Sequence, residues 1–150
     1  MQTIQGSKNP AKAWLSRYRN LSLEADAIER AIRRAMDQAT NTTVALKEIC
    51  VQTSGGGEMM ANAVINAVDS AAILDERRKE ALKVMTQIME AIKAVPDDVQ
   101  RVILIEKYVN GRNLKDIQND IHYEQRNTII LHGRALWAVW QWMKERGISA

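Results

Sequence analysis

Two long stretches of this chain repeat apolar residues at alternating spacings of four and three, and this repeat narrows the possible folds more than any other feature. Such spacing places apolar side chains along one side of an α-helix, where they form a seam that another helix can cover. Only Arg78 interrupts the second stretch. We therefore expect two long helices. The seam residues are Trp14, Tyr18, Leu21, Ala25, Ile28, Ile32, Ala35 and Ala39, followed by Met60, Val64, Ala67, Ala71, Leu74, Ala81, Met85, Ile88, Ile92 and Val95.

The composition favours the same fold class. Ala, Leu, Met, Lys, Glu and Arg are abundant, whereas the 150 residues include only two prolines and no phenylalanine. Most of these abundant residues are good helix formers. The sequence therefore predicts an all-α protein, with enough chain for one domain or two small ones.

The residues between the two seams predict a connector. Asn9 and Pro10 are typical of a helix start, and the first helix is expected to run to about Thr40. Residues 41–59 break the repeat and contain a Ser-Gly-Gly-Gly run, which favours a mobile linker. No Gly-Lys-Ser/Thr follows the glycines, so a phosphate-binding loop is not expected. Two long seams joined in this way predict an antiparallel hairpin, and they would equally fit pairing between two copies of the chain.

A domain boundary is expected near Pro96, because proline cannot continue a helix and the acids that follow it suit the start of a new one. The predicted domains are a helical hairpin over residues 1–95, with its connector at about 41–59, and a second domain over residues 96–150. In the second domain, Asn110-Gly111 is expected to end a short amphipathic helix.

The remaining residues predict a helix-turn-helix. Asn113 is expected to cap a short helix over Leu114 to Ile121, with Asp116 at the third position after the cap. His122-Tyr123 forms the predicted turn, and a longer helix follows from about Glu124 until Gly147. Short helix, tight turn and longer helix are the order of a DNA-binding helix-turn-helix.

The stretch PDDVQRVILIEKYVNGRNLKDIQNDIHYEQRNTIILHGRAL resembles the C-terminal, promoter-reading helix-turn-helix of sigma factors, in the form found in phage late-gene transcriptional regulators of the RinA/ArpU kind. Gln118, His122 and Glu124 depart from that pattern, where a small Ala, a turn Gly and a capping Ser are usual. The detailed likeness covers roughly the last third of the chain. The matching residues are Ile105, Tyr108, Gly111, Leu114, Ile117, Ile121, Tyr123, Leu131, His132, Gly133, Ala135 and Leu136.

The resemblance implies a sequence-specific regulator, an activator of phage or prophage late genes that binds double-stranded DNA and contacts host RNA polymerase. Its last helix would enter the major groove with Gln125, Arg126 and Asn127 at the base edges, where Arg pairs with guanine and Gln or Asn with adenine. Four further cations would hold phosphates and set the register. These are Lys107, Arg112, Lys115 and Arg134.

Two other functions fit the sequence. One is a small terminase-like subunit that recognises DNA for packaging, since such subunits also join a helix-turn-helix to helical oligomerisation segments. The other is a helical module that binds RNA polymerase or a sigma factor and never contacts DNA. The net charge of +3 is permissive for DNA binding and does not choose among these functions. Past the motif, Trp137, Trp140 and Trp142 are expected to dock the last helix on the rest of the protein or on a second copy.

Several function classes are not expected. His122 and His132 have no Cys or carboxylate cluster to complete a metal site, and we find no catalytic arrangement, so we predict neither an enzyme nor a cofactor. The single Cys50 cannot form an internal disulfide. With no signal peptide and no apolar run long enough to span a membrane, the sequence predicts a cytoplasmic protein without a membrane partner.

Overall fold

A computed structural model describes residues 9–149 apart from 50–55; the side chains of residues 42–49, 56–61, 63, 64 and 67 are also outside the description. The described chain is helical throughout, which confirms the all-α prediction, and it contains no strand. Five α-helices follow one another, and a π-helical turn extends the third. They are α1 (Pro10–Ile49), α2 (Gly56–Lys93), α3 (Asp98–Leu104), the π turn (Ile105–Val109), α4 (Leu114–Ile121) and α5 (Gln125–Glu145).

The two long helices begin and end differently from the prediction. Asn9 starts α1 as expected, because its side-chain oxygen accepts the Ala11 amide at 2.9 Å. The helix then continues past Thr40 to Ile49, and α2 already begins at Gly56. The connector is therefore narrower than residues 41–59, since Asn and Thr lower helix propensity by only about 0.5 kcal/mol each and cannot end a long helix. Residues 50–55, with Cys50, lie outside the described residues.

The chain divides into two compact units, at boundaries that differ from the predicted one near Pro96. The terminal unit combines the residues up to Asn20 with those from Ala81 onward, and the hairpin unit is Leu21–Glu80. The first turns of α1 and the last turns of α2 thus belong with α3, α4 and α5. The reason lies in burial: Leu15, Ile88 and Ile92 are at most 1% exposed and share the core of the terminal unit.

The hairpin unit pairs α1 with α2 through ion pairs. Glu24 binds Arg77 at 3.3 Å, and Glu29 binds Arg78 at 2.9 Å. Glu24 and Glu29 precede the end of α1 by about as many residues as Arg77 and Arg78 follow the start of α2. The two helices therefore run in opposite directions. Arg78, which interrupts the apolar seam in the sequence, is one of the residues that join the helices.

The terminal unit holds a dense core. There α3, α4 and α5 pack on one another, and Ile103, Ile117 and Val139 are completely buried. Trp14 of α1 meets Trp142 of α5, with ring centroids 6.0 Å apart. The docking prediction for the C-terminal tryptophans holds for Trp142, which is 9% exposed. Trp137 is 50% exposed, because it lies on the opposite face of α5 from the buried stripe.

Candidate nucleic-acid interface

The start of α4 is fixed by two features that the sequence predicted. Gly111 has a φ of +73°, in the left-handed region that favours glycine, and it ends the preceding helix. The Asn113 side chain then accepts the amide of Asp116 at 2.8 Å and caps α4. The guanidinium of Arg19 lies directly over Gly111, where a side-chain carbon would be only 2.3 Å from it. The chain therefore enters α4 through a turn packed against α1.

The turn between α4 and α5 is also left-handed. His122 has a φ of +57°, and the Tyr123 amide donates to the carbonyl of Gln118 at 3.2 Å, which closes the end of α4. Glu124 then takes an extended backbone and begins α5, but its side chain makes no capping hydrogen bond. α4, turn and α5 thus have the order and tight connection of a helix-turn-helix.

The three predicted base-reading residues lie together at the leading end of α5. Gln125, Arg126 and Asn127 form its first turn, and all three are exposed. Gln125 also lines a shallow groove between α4 and α5, which Lys115 and Gln118 border from the α4 side. The tryptophan-bearing end of α5 does not bury this turn.

The four predicted phosphate contacts have different surroundings. Lys115 and Arg134 are exposed, and like Arg126 they form no ion pair with any residue in the described part of the chain. These cations are free to meet an anionic partner. Lys107 is half-buried in the π turn, where burial and the positive charge of Lys12 lower its pKa.

Arg112 is engaged within the protein. Its Nη1 donates to Glu106 at 3.0 Å and to Asp120 through a second, shorter contact. The hydrogen bonds to these two carboxylates raise the pKa of Arg112, and the one from Arg112 lowers the pKa of Asp120. A phosphate contact by Arg112 would require these pairs to be given up, and the role that the structure gives this residue is to join the π turn to α4. These partners lie six and eight residues from Arg112 along the chain, and they could not be paired from the sequence.

A partly buried polar pair joins the π turn to α5. The hydroxyl of Tyr108 lies 2.9 Å from Nε2 of His132, and the two rings stack at 5.8 Å. Burial, together with the charges of Lys107 and Lys12, lowers the pKa of His132 to about 4. The ring is therefore neutral at physiological pH and shares one hydrogen bond with the Tyr108 hydroxyl. This pair fixes the middle of α5 on the core.

An apolar patch that was not predicted lies beside the predicted base-reading residues. Ile129 is 51% exposed and Ile130 is 42% exposed, although both are large branched apolar residues. They line one shallow concavity with Glu124, Gln125 and Arg126. The helical period could have revealed Ile130, which lies on the opposite side of α5 from the buried Thr128 and Ala135. It does not predict the exposure of Ile129, which stands seven residues before the buried Leu136 and nearly in line with it.

No family model, no curated protein and no solved structure matches the chain. Among the described residues, no group of three or more metal-ligating side chains comes together. Within the same residues, no helix is both long and apolar enough to cross a membrane.

Proposed function

We propose that the protein is a sequence-specific regulator that binds double-stranded DNA with α5 in the major groove. The observation that carries this proposal is the uncovered first turn of α5, where Gln125, Arg126 and Asn127 project at the end of a helix held firmly by its opposite face. A helix with side chains projecting from such a turn can enter a groove about 12 Å wide. Arg126 is the proposed guanine reader, and Gln125 and Asn127 are the proposed adenine readers.

The charges around this turn support the proposal. Lys115 borders the groove beside Gln125, and Arg134 lies two turns along α5, both exposed and both without an ion pair among the described residues. Cations in such positions suit phosphates on either side of a groove and fix the register of the helix. We do not include Arg112, whose charge is balanced by Glu106 and Asp120.

The sigma-like resemblance of this module extends the proposal to the target. We propose that the DNA is a promoter of phage or prophage late genes, and that the protein activates transcription through host RNA polymerase. The packaging and protein-binding functions named above are the alternatives that the experiments below separate.

Self-association through the hairpin unit is a second part of the proposal. Ile65, Val68 and Ile73 of α2 are each more than half exposed, an unusual position for branched apolar residues. A second copy that covers them would present two helix-turn-helix modules to two half-sites, which in such dimers lie about 34 Å or a multiple apart. Light scattering on the full chain measures this directly: a dimer supports regulation, whereas a ring of eight or more copies would support packaging.

The direct test is a mobility-shift and footprinting experiment with the full chain on the upstream DNA of its parent genome. We expect one discrete protected site, and Arg126→Ala should weaken binding to it about tenfold or more, because a bidentate Arg–guanine pair is worth about 1–3 kcal/mol. Arg34→Ala is the matched control. It removes the same charge from an exposed position in the hairpin unit and should leave the affinity nearly unchanged.

The salt dependence of binding completes the test. Lys115→Ala and Arg134→Ala should weaken binding to all sequences about equally, and each should reduce the salt slope by about one. Binding that is uniform along the DNA would contradict sequence-specific regulation. Absence of any salt-sensitive DNA binding would favour the protein-binding alternative.

A further inference from the structure

Two exposed isoleucines lie where the proposed reading helix would face DNA. Ile129 and Ile130 follow Arg126 by three and four residues, so they lie on the same face of α5 as Arg126, one turn further along the helix. About half of each side chain is open to solvent. Thr128, between them and the first turn, is buried on the opposite side of the helix. The isoleucines therefore contribute little to the core, and their position needs another explanation.

We propose that Ile129 and Ile130 contact thymine methyl groups, so that the DNA site carries thymines beside the base pair read by Arg126. This inference rests on the proposed function. In the major groove, the C5 methyl of thymine is the group that apolar side chains recognise. An isoleucine offers no hydrogen bond to a base edge, but it can remove this methyl from water.

The position of the isoleucines sets the spacing within the site. Ile130 lies about 6 Å along the helix axis from Arg126, at a rise of about 1.5 Å per residue. Neighbouring bases on one strand are about 3.4 Å apart. A helix lying along the groove would therefore place the contacted thymine within about two base steps of the guanine read by Arg126.

The helix backbone next to the isoleucines allows α5 to approach DNA closely. Gly133 follows the isoleucines on the same side of α5, and a side-chain carbon added there would meet no atom within 4 Å. The helix surface is thus low and open where it would meet the edge of the groove.

Among the residues that flank the isoleucines, Arg126 and Arg134 carry positive charge, which favours an anionic partner over an apolar one. Glu124, which lines the same concavity, has a side chain that can accept a hydrogen bond from cytosine N4.

The experiment replaces thymine by deoxyuridine, which removes the methyl group and keeps every hydrogen-bonding group. The full chain first selects its site from a random pool of duplexes, and each thymine of that site is then replaced singly. We expect a loss of affinity of about fourfold at one or two positions near the guanine that depends on Arg126. The Ile129→Ala/Ile130→Ala variant should bind the thymine and deoxyuridine duplexes equally.

Val102→Ala is the matched control, because Val102 is an exposed branched residue on α3 and its loss should leave the discrimination intact. Site-specific binding without any deoxyuridine effect would overturn this inference and leave the proposed function standing. Failure to bind DNA at all would overturn both. A change in mass of the isoleucine variant, with unchanged discrimination, would show instead that these residues join two copies of the chain.

Discussion

The two compact units are built from the same apolar repeat and bury it to very different extents. In the terminal unit, Trp14, Ile88 and Ile92 of the repeat are at most 2% exposed. In the hairpin unit, Ala25 is the one apolar residue with a described side chain that is buried, whereas Ile28, Ile32 and Leu74 of the repeat are only partly buried. Helical periodicity therefore says which residues can share a face but not how much of that face is covered. How much of a helix face is buried depends on the helices that pack against it, and in the terminal unit those are α3, α4 and α5.

The largest expected effect is a direct test of this contrast with one substitution in each unit. Ile103→Ala in the terminal unit should lower the free energy of unfolding by about 2–5 kcal/mol, because it opens a cavity at a fully buried position. Ile73→Ala in the hairpin unit, where the side chain is 56% exposed, should change it by less than about 0.5 kcal/mol.

Urea unfolding measures both variants. All four tryptophans lie in the terminal unit, so their fluorescence follows that unit alone, whereas far-UV circular dichroism follows both. A loss at Ile73 comparable with that at Ile103 would show that the hairpin face is covered in solution, and its dependence on protein concentration would identify a second copy as the cover.

The next effect is a pH dependence expected in the terminal unit. His132 has a folded pKa of about 4, whereas an ordinary histidine in the unfolded chain has a pKa of about 6.5. The unfolded state therefore binds more protons between these values, so stability is full above about pH 6.5 and falls as the pH drops toward 4. The shift corresponds to as much as about 3 kcal/mol.

Tryptophan fluorescence during urea unfolding at several pH values measures this loss. His132→Gln, which keeps a hydrogen-bonding group for the Tyr108 hydroxyl, should flatten the profile between pH 4 and 6.5. Lys107→Met should lessen its slope, because one of the positive charges that lower the pKa of His132 is removed. An unchanged profile in the His132→Gln variant would mean that other groups govern the acid response.

The smallest expected effect is a difference in stability between alanine substitutions at two glycines of the terminal unit. Gly111→Ala should destabilise the protein by about 1–2 kcal/mol, because its φ of +73° is strained for a residue with a side chain and Arg19 must also move away. Gly133→Ala should instead stabilise it by up to about 1 kcal/mol, since Gly133 lies within a helix with open space around it. Thermal unfolding measures both, and equal effects would contradict the left-handed turn at Gly111.

Local chemistry made much of the helix-turn-helix predictable. The cap at Asn113, the left-handed glycines Gly111 and Gly147, and the turn at His122 each depend on residues close together in the chain, and each lies where the sequence placed it. The predicted end of α1 at about Thr40 is wrong, because the low helix propensity of Asn and Thr is too weak to end a long helix, and α1 runs to Ile49. Base reading by Gln125, Arg126 and Asn127 stays a prediction.

Interactions between distant residues were not predictable. The Arg112 contacts and the Tyr108–His132 hydrogen bond depend on how the π turn, α4 and α5 pack, and no spacing rule identifies such partners. The same holds for the differences among the four predicted phosphate contacts, since Arg112 is paired, Lys107 is half-buried, and Lys115 and Arg134 are exposed. Whether a cation is free depends on which acids the fold brings beside it.

The contact between Trp14 and Trp142 has a consequence for biosynthesis. These side chains come from opposite ends of the described chain, so the core that holds α5 closes only after residue 142 has left the ribosome. Protein synthesis adds about 5–20 residues per second, so Trp142 follows Trp14 by on the order of ten seconds. The hairpin unit can form during that interval. A chain cut short before Trp142 would leave Trp14 without this aromatic partner.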